Sequence, residues 1–320
     1  RRLRLRRTDE GRVGRGAPGG ARRDPRHRLL LRAPRRPPAA PGGAAVRARV
    51  GEQQLVQLGA HGGVGAVVEG GRAERGEGEG LAEAYAAPGR TLLLTGRNQA
   101  RLQGVVSACE AKGARVIPAL VDVADRDAMD RMLTDFDREN PIDLLIANAG
   151  VGYGTGRYLM ERPEHTHELS MINMIGVSNT VMPIINRMAA RGQGQIALMA
   201  SVAGFAAITQ SPSYAATKAY VKHWGEGLYG RLKPFGVTVT TICPGFVKSA
   251  MTDANRFSMP FLMDRDRATD IMVRGMAAGR ARVSFPWPVT WVAGVLGALP
   301  SFIATRLNPL HTKPKLPPID

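Results

Sequence analysis

The sequence predicts an α/β fold with a doubly wound parallel sheet, contained in a single domain. Two observations support this prediction. Residues 195–200 and 237–243 are apolar runs typical of buried strands, and residues 214–232 between them read as a long helix. A strand, a helix and a second strand in this order form a parallel β-α-β unit. Further apolar runs at 91–95, 115–121 and 142–147 predict the remaining strands.

Three polar residues lie where such a unit places its functional groups, at the carboxyl ends of the strands. Ser201 follows the run 195–200, and Tyr214 and Lys218 lie four residues apart in the helix. Residues four apart share one helix face, so the Lys218 ammonium is expected to lower the pKa of the Tyr214 phenol. The Ser201 hydroxyl could then hold a substrate oxygen. These residue types predict proton transfer at a carbonyl or alcohol oxygen.

The segment before residue 76 has a different composition from the rest of the chain. The first 80 residues contain 18 Arg and 8 acidic residues, with no lysine, serine or aromatic residue. Such a segment buries too little apolar surface to offset the entropy lost on ordering. We expect residues 1–75 to form a disordered basic arm, residues 76–285 the α/β domain, and residues 286–320 an apolar helix with a Pro/Lys-rich tail. A reading-frame error upstream of Leu81 would explain the change in composition.

Several motifs resemble those of the short-chain dehydrogenase/reductase family. Asn148-Ala149-Gly150 follows the predicted strand 142–147, as the family's Asn-Ala-Gly motif does. The other matching positions are Asn173, Ser201, Tyr214, Lys218, Pro244, Gly245, Val247 and Ser249. The resemblance runs from about Leu81 to Thr252 and implies a Rossmann-like fold. It also implies that Asn173, Ser201, Tyr214 and Lys218 are catalytic, with Asn173 holding a water in the proton relay.

The resemblance also implies a nicotinamide cofactor. Asn148, Ala149, Gly150, Tyr214, Lys218, Pro244, Gly245, Val247 and Ser249 would then contact it, with Asp122 and Val123 on its adenine side. Arg97 follows the strand 91–95, where an acidic residue would select NAD. A guanidinium suits a 2′-phosphate instead. We therefore expect NADP(H) to be preferred, with NAD(H) as the alternative.

The glycine-rich turn that should cradle the cofactor's diphosphate departs from the family pattern. Gly76 and Gly78 match its last two glycines, but the residues before them do not supply the expected Thr-Gly pair. Glu77 occupies a position where the family prefers an apolar residue, and its carboxylate would oppose a bound diphosphate. The run 65–68 could supply the first strand, but the composition of the arm disfavours this interpretation.

Two functions are therefore compatible with the sequence. The first is an NADP(H)-dependent oxidoreductase that interconverts a ketone or aldehyde and an alcohol, with Tyr214 as the general acid/base. The alternative is a non-catalytic binding or scaffold protein of the same fold, with an impaired cofactor site. The resemblance implies a small-molecule substrate and a homo-oligomer. The Met- and Phe-containing segment 251–263, a lid in related enzymes, favours an apolar substrate.

The remaining features concern location and other partners. Residues 287–304 are uncharged and mostly apolar, but their prolines and glycines favour a helix lying on a membrane or against a partner subunit. Cys109 and Cys243 match no metal spacing, and neither do His165 and His167. We expect a reducing, cytoplasmic location, with peripheral membrane contact through 287–304. Nucleic-acid binding is disfavoured because the basic arm has no aromatic residue that could stack on bases.

Overall fold

The computed structural model describes residues 66–70, 76–155, 159–248, 259 and 261–307. The described strands form one sheet in which all neighbouring pairs are parallel, in the order β3-β2-β1-β4-β5-β6-β7. The strands are β1 Ala66–Gly70, β2 Thr91–Gly96, β3 Arg115–Leu120, β4 Leu144–Ala147, β5 Gly194–Met199, β6 Val237–Pro244 and β7 Arg282–Phe285. This arrangement is the predicted Rossmann-like, doubly wound α/β fold.

Helices connect the strands and cover both faces of the sheet. The α-helices are α1 Glu77–Tyr85, α2 Gln99–Glu110, α3 Arg126–Glu139, α4 Pro163–Ser170, α5 Val177–Arg191, α6 Pro212–Leu232, α7 Arg265–Ala277, α8 Trp287–Ala298 and α9 Ser301–Leu307. A π-helix at Met171–Gly176 joins α4 to α5, and short 3-10 helices lie at Val202–Phe205 and Lys233–Phe235. Helix α7 ends at Ala277, and Arg282 begins the last strand, β7.

The core consists of two apolar clusters, one on each face of the sheet. Leu93 and Leu145 belong to the cluster under α3, α5 and α6, whereas their chain neighbours Leu92 and Leu144 belong to the cluster under α1, α2 and α7. Successive side chains of a strand point to opposite faces, and both faces are covered here. This is why the strands appear in the sequence as continuous apolar runs.

The first strand corrects one prediction. Ala66–Gly70 pairs with β2 on one side and with β4 on the other, so it lies in the centre of the sheet. The sequence had assigned residues 1–75 to the arm and disfavoured this run as the first strand. That boundary is wrong for Ala66–Gly70, because two β-branched valines suffice for a strand whose backbone pairs on both sides. Residues 1–65 and the tail at 308–320 lie outside the described residues.

Candidate active site

The order of the strands places the predicted site at one edge of the sheet. From β1 the chain moves outward through β2 and β3, and it then returns to form β4 to β7 on the other side. Ligands of open α/β sheets bind in the crevice at this reversal, beyond the carboxyl ends of the strands. Asn148 follows β4, Ser201 follows β5, and Gly245 follows β6, so all three lie at this edge.

The predicted Ser201, Tyr214 and Lys218 come together there. Ser201 begins the 3-10 helix, where its Oγ accepts a hydrogen bond from the Ala203 amide at 3.1 Å. The Ser201 Oγ also donates to the Pro244 carbonyl at 3.4 Å, and the Ser201 side chain acts to lower the pKa of the Tyr214 phenol. Lys218 Nζ lies 5.9 Å from the centre of the Tyr214 ring and donates a hydrogen bond to the Met199 carbonyl at 2.9 Å. The three side chains therefore share one site.

The protonation states of this site differ from the sequence-based expectation. Burial raises the pKa of Tyr214 to about 12. The Ser201 side chain opposes this effect by lowering the pKa, whereas the Glu77 charge raises it further. Lys218 was expected to lower this pKa, but the structure gives the opposite net direction, because removing the phenolate from water costs more than its neighbours recover. Burial also lowers the pKa of Lys218 to about 8, against an opposing effect of Glu77.

Asn173 lies behind these residues and is fully buried. Its Oδ1 accepts a hydrogen bond from the Val151 amide at 2.8 Å. Its Nδ2 donates to the Val151 carbonyl at 2.9 Å and to Thr217 Oγ1 at 3.1 Å. The π-helix around Asn173 is of a kind often found at functional sites. The π-helix thus positions the Asn173 side-chain amide so that it bonds both the loop after β4 and helix α6.

Gly150 leaves space between two of these groups. A Cβ at this position would lie 3.3 Å from Lys218 Nζ and 3.5 Å from Asn173 Oδ1. The space is therefore bounded by an ammonium donor and an amide acceptor. Such a pair can orient a small polar molecule, and the missing side chain of Gly150 keeps the space open.

The residues predicted to bind the adenosine end of the cofactor also lie close together. Arg97 follows β2, and its Nη1 lies 3.2 Å from Asp122 Oδ2 beyond β3. Both side chains are partly exposed. Val123 is buried, and its carbonyl accepts a hydrogen bond from Asn179 Nδ2 at 2.8 Å. Sequence reasoning did not identify Asn179, a buried polar residue on α5, as a support for the Asp122–Val123 segment.

The turn before α1 contains the residues that least resemble a phosphate site. Gly76 caps α1 and Gly78 is buried, so both predicted glycines lie at the start of the helix. Glu77, between them, has a pKa raised by burial, while its own backbone amide and the Lys218 charge lower it. The Glu77 charge in turn affects Tyr214 and Lys218. Glu77 is thus a third titratable group of the site, which the sequence had considered only as an obstacle to diphosphate.

The remaining predicted cofactor contacts lie after β6. The Gly245 amide donates to the Phe285 carbonyl at 2.7 Å, and a Cβ on Gly245 would meet Pro286 Cδ at 2.9 Å. Val247 is buried and pairs with Met263. Ser249 and residues 251–258 of the predicted lid lie outside the described residues.

Comparison with known proteins identifies the family. The sequence profile of short chain dehydrogenases matches residues 66–259. The chain belongs to the short-chain dehydrogenase family. An uncharacterized oxidoreductase of Myxococcus xanthus is 35% identical over 230 residues, which cover 72% of this chain and 90% of the relative. A gluconate 5-dehydrogenase of Gluconobacter oxydans is 30% identical, over 65% of this chain and 78% of its own.

Solved structures show the same fold. A short-chain dehydrogenase from Sphingobium yanoikuyae in complex with NADPH has a TM-score of 0.63 at 24% identity, covering 74% of this chain and 96% of its own. One from Mycobacterium paratuberculosis bound to NAD has a TM-score of 0.61 at 22% identity, covering 71% and 98%. The protein is therefore an NAD(P)-dependent short-chain dehydrogenase/reductase.

Of the cysteines and histidines, Cys243 lies near enough to the site for its charge to raise the pKa of Lys218. Cys109 and Cys243 are both buried and free, and burial raises the pKa of each thiol. His165 stacks on the ring of Tyr153, with centroids 4.0 Å apart. Within the described ranges, no group of three or more His, Cys, Asp or Glu could hold a metal ion.

Proposed function

We propose that this oxidoreductase interconverts a ketone or aldehyde and the corresponding alcohol with NADP(H), using Tyr214 as the general acid/base. The observation that carries the proposal is the assembly of Tyr214, Ser201 and Lys218 in one buried site at the carboxyl edge of the sheet. A nicotinamide cofactor bound at this edge supplies or accepts the hydride. The protein's own groups hold the substrate oxygen and transfer its proton.

Each side chain has a distinct part in this proposal. Tyr214, with a pKa of about 12, is a neutral phenol near pH 7 and can donate a proton to a carbonyl oxygen during reduction. Ser201, whose side chain acts to lower the pKa of the phenol, holds the same oxygen. Lys218, with a pKa of about 8, is mostly cationic near pH 7 and stabilises the phenolate that results.

Asn173 and Gly150 would support the return of the proton to solvent. Gly150 keeps open the space between Lys218 Nζ and Asn173 Oδ1, and a water held there would connect the ammonium to the loop after β4. The hydrogen bonds from Asn173 to Val151 and Thr217 fix the amide in place, so its oxygen is oriented before the substrate binds. We therefore retain the predicted relay role of Asn173.

The residues present suit the adenosine and nicotinamide ends of the cofactor, and they suit the diphosphate between those ends less well. Arg97 would bind the 2′-phosphate of NADP(H), with Asp122 beside it and Val123 near the adenine. Asn148, Ala149, Gly150, Lys218, Pro244, Gly245, Val247 and Ser249 would hold the nicotinamide end. Gly76 and Gly78 would place the amides of α1 near the diphosphate, where the Glu77 carboxylate opposes it.

The proposal also includes the finer expectations from the sequence. We retain a small, apolar carbonyl or alcohol substrate, a homo-oligomer and a cytoplasmic location. Among the described residues, no helix has both the length and the apolar character needed to cross a membrane.

Cofactor titration and a substrate screen test the proposal together. The purified protein would be titrated with NADPH and NADH, and ketones and aldehydes would be screened with each. We expect tighter binding of NADPH, and we expect Arg97→Ala to remove most of that difference. Arg138→Ala is the matched control, since Arg138 lies in the last turn of α3, at the opposite edge of the sheet, and pairs with Asp135. Binding of neither cofactor would favour the non-catalytic alternative.

A further inference from the structure

The two C-terminal helices expose an unusual amount of apolar surface. Trp287 is 77% exposed, Trp291 66% and Phe302 65%, and Val292, Val295 and Leu307 are also exposed. Trp287, Trp291 and Val295 follow one another at four-residue intervals and therefore share one face of α8. We call these six side chains the apolar ridge.

Helix α8 is apolar all round, yet the described part of the chain fully buries none of its residues. Helices of this composition are normally covered by a protein core or by lipid. Monomeric soluble proteins rarely expose apolar patches of this kind without a binding partner. The apolar ridge is therefore a surface that requires a partner.

The inner side of α8 is fixed against the protein. A Cβ on Gly297 would lie 1.8 Å from the Phe205 carbonyl oxygen, so the helix packs directly on the 3-10 helix after Ser201. The Phe205 ring lies 5.0 Å from Lys222 Nζ and 5.3 Å from Arg282 Cζ. Glu226 pairs with both cations. Because this side is anchored, the ridge faces outward in a fixed orientation.

The ridge also lies at a defined edge of the sheet. Helix α8 follows the carboxyl end of β7, which runs parallel to β6. This is the edge that carries Ser201 and the candidate active site. A partner bound to the ridge would therefore lie beside the opening of that site.

Charge identifies the kind of partner. After Asp270, the sequence contains six basic residues and one acidic residue, Asp320, and residues 287–304 carry no charge. Arg306, between Phe302 and Leu307 of the ridge, is exposed, and Lys313 and Lys315 follow it in the sequence. Tryptophan at the boundary of an apolar helix, flanked by basic side chains, is typical of helices that lie in the interface of an anionic bilayer.

We propose that the apolar ridge docks the protein on the surface of an anionic lipid bilayer, with α8 and α9 lying in its interface. Trp287, Trp291 and Phe302 enter the boundary between headgroups and acyl chains, while Arg306 contacts the headgroup phosphates. If the proposed function holds, docking places the active-site opening next to the bilayer, where apolar ketones and alcohols concentrate.

Vesicle binding of the full-length protein, without cofactor or substrate, tests the proposal apart from any enzymatic activity. The probes are phosphatidylcholine vesicles with and without phosphatidylglycerol. We expect sedimentation with the anionic vesicles that weakens with salt, and quenching of tryptophan emission by brominated acyl chains. The double variant Trp287→Ala, Trp291→Ala should lower the bound fraction tenfold or more at equal lipid. Phe235→Ala is the matched control, because Phe235 is exposed but precedes β6, at the opposite edge.

Three results would overturn the proposal. Equal binding to neutral and anionic vesicles would contradict the charge argument. Failure to bind, together with a smaller oligomer in the double alanine variant, would assign the ridge to a contact between copies of the chain. Failure to bind, with tryptophan emission already blue-shifted without lipid, would mean that the chain covers its own ridge. Circular dichroism of each variant checks that the fold is retained.

Discussion

The two halves of the cofactor crevice are built in different ways. Around the ends of β4, β5 and β6, Ser201, Lys218 and Asn173 are buried and hydrogen-bonded, and Asn173 contacts both Val151 and Thr217. At the turn between β1 and α1, the expected motif is broken and Glu77 places a carboxylate near the site. The half proposed to move protons keeps the family's residues, whereas the half that would bind the diphosphate departs from them.

The two halves differ because proton transfer depends on side-chain atoms, whereas diphosphate binding depends on backbone atoms. Proton transfer requires particular side chains, since only a phenol, an ammonium and a hydroxyl in contact supply the chemistry. Diphosphate binding relies on backbone amides at a helix N-terminus, which nearly any sequence provides. The turn can therefore lose its motif and still bind, provided that no charge opposes the ligand. Glu77 is the residue that decides whether this condition is met.

The largest expected effect comes from removing the acid on the proton-transfer side. Tyr214→Phe should lower kcat for carbonyl reduction by about a thousandfold, because the phenol that protonates the oxygen is lost. Steady-state kinetics with a substrate from the screen would measure it. Tyr229→Phe, on the same helix and away from Ser201, is the control. Turnover within a few-fold of wild type would remove Tyr214 from its proposed role.

Filling the space at Gly150 should have the next largest effect. Gly150→Ala places a methyl group between Lys218 Nζ and Asn173 Oδ1, and we expect kcat to fall by roughly ten- to a hundredfold. Gly104→Ala is the matched control, because a Cβ there meets nothing within 4 Å. Kinetics and thermal unfolding of both variants would be compared. An unchanged kcat in Gly150→Ala would contradict the relay through this space.

The pH dependence of reduction tests Lys218. Its pKa is lowered to about 8, so the side chain is cationic below that pH and neutral above it. We expect kcat to fall by about tenfold per pH unit above pH ~8, since the neutral amine cannot stabilise the phenolate. Tyr214, with its pKa near 12, stays protonated over this range. A pH profile that is flat up to pH ~10 would contradict this assignment.

The smallest expected effect comes from removing the Glu77 charge, in the half of the crevice that would bind the diphosphate. Glu77→Gln removes the charge that opposes diphosphate, and we expect NADPH to bind roughly fivefold more tightly, about 1 kcal/mol. In wild type this gain should also appear as the pH is lowered through the raised pKa of Glu77, because protonation removes the same charge.

Glu77→Gln should also shift the alkaline fall in kcat toward lower pH, since Glu77 raises the pKa of Lys218. Fluorescence titration measures the affinity, and Glu83→Gln on the outer part of α1, where Glu83 pairs with Lys112, is the control. Weaker cofactor binding in Glu77→Gln would mean that the carboxylate helps to hold the ligand.

Local pattern was sufficient for most of the fold and for the residues of the site. The run 237–243 predicts β6, found at Val237–Pro244, because a strand buried on both faces is apolar throughout. Tyr214 and Lys218 were identifiable because residues four apart share a helix face. The first strand was misjudged, because Ala66–Gly70 is short and depends on β2 and β4 for its pairing.

By itself, the sequence determined the order of most strands and helices and selected the residues proposed to transfer protons, because apolar periodicity and residue type are local properties. Only the tertiary structure decided the ionisation of those residues. Burial raises the pKa of Tyr214 and lowers that of Lys218, and the charge of Glu77 reaches both from a distant part of the chain. Desolvation and Coulomb energies depend on which groups surround a side chain in space, and spacing along the chain does not specify that.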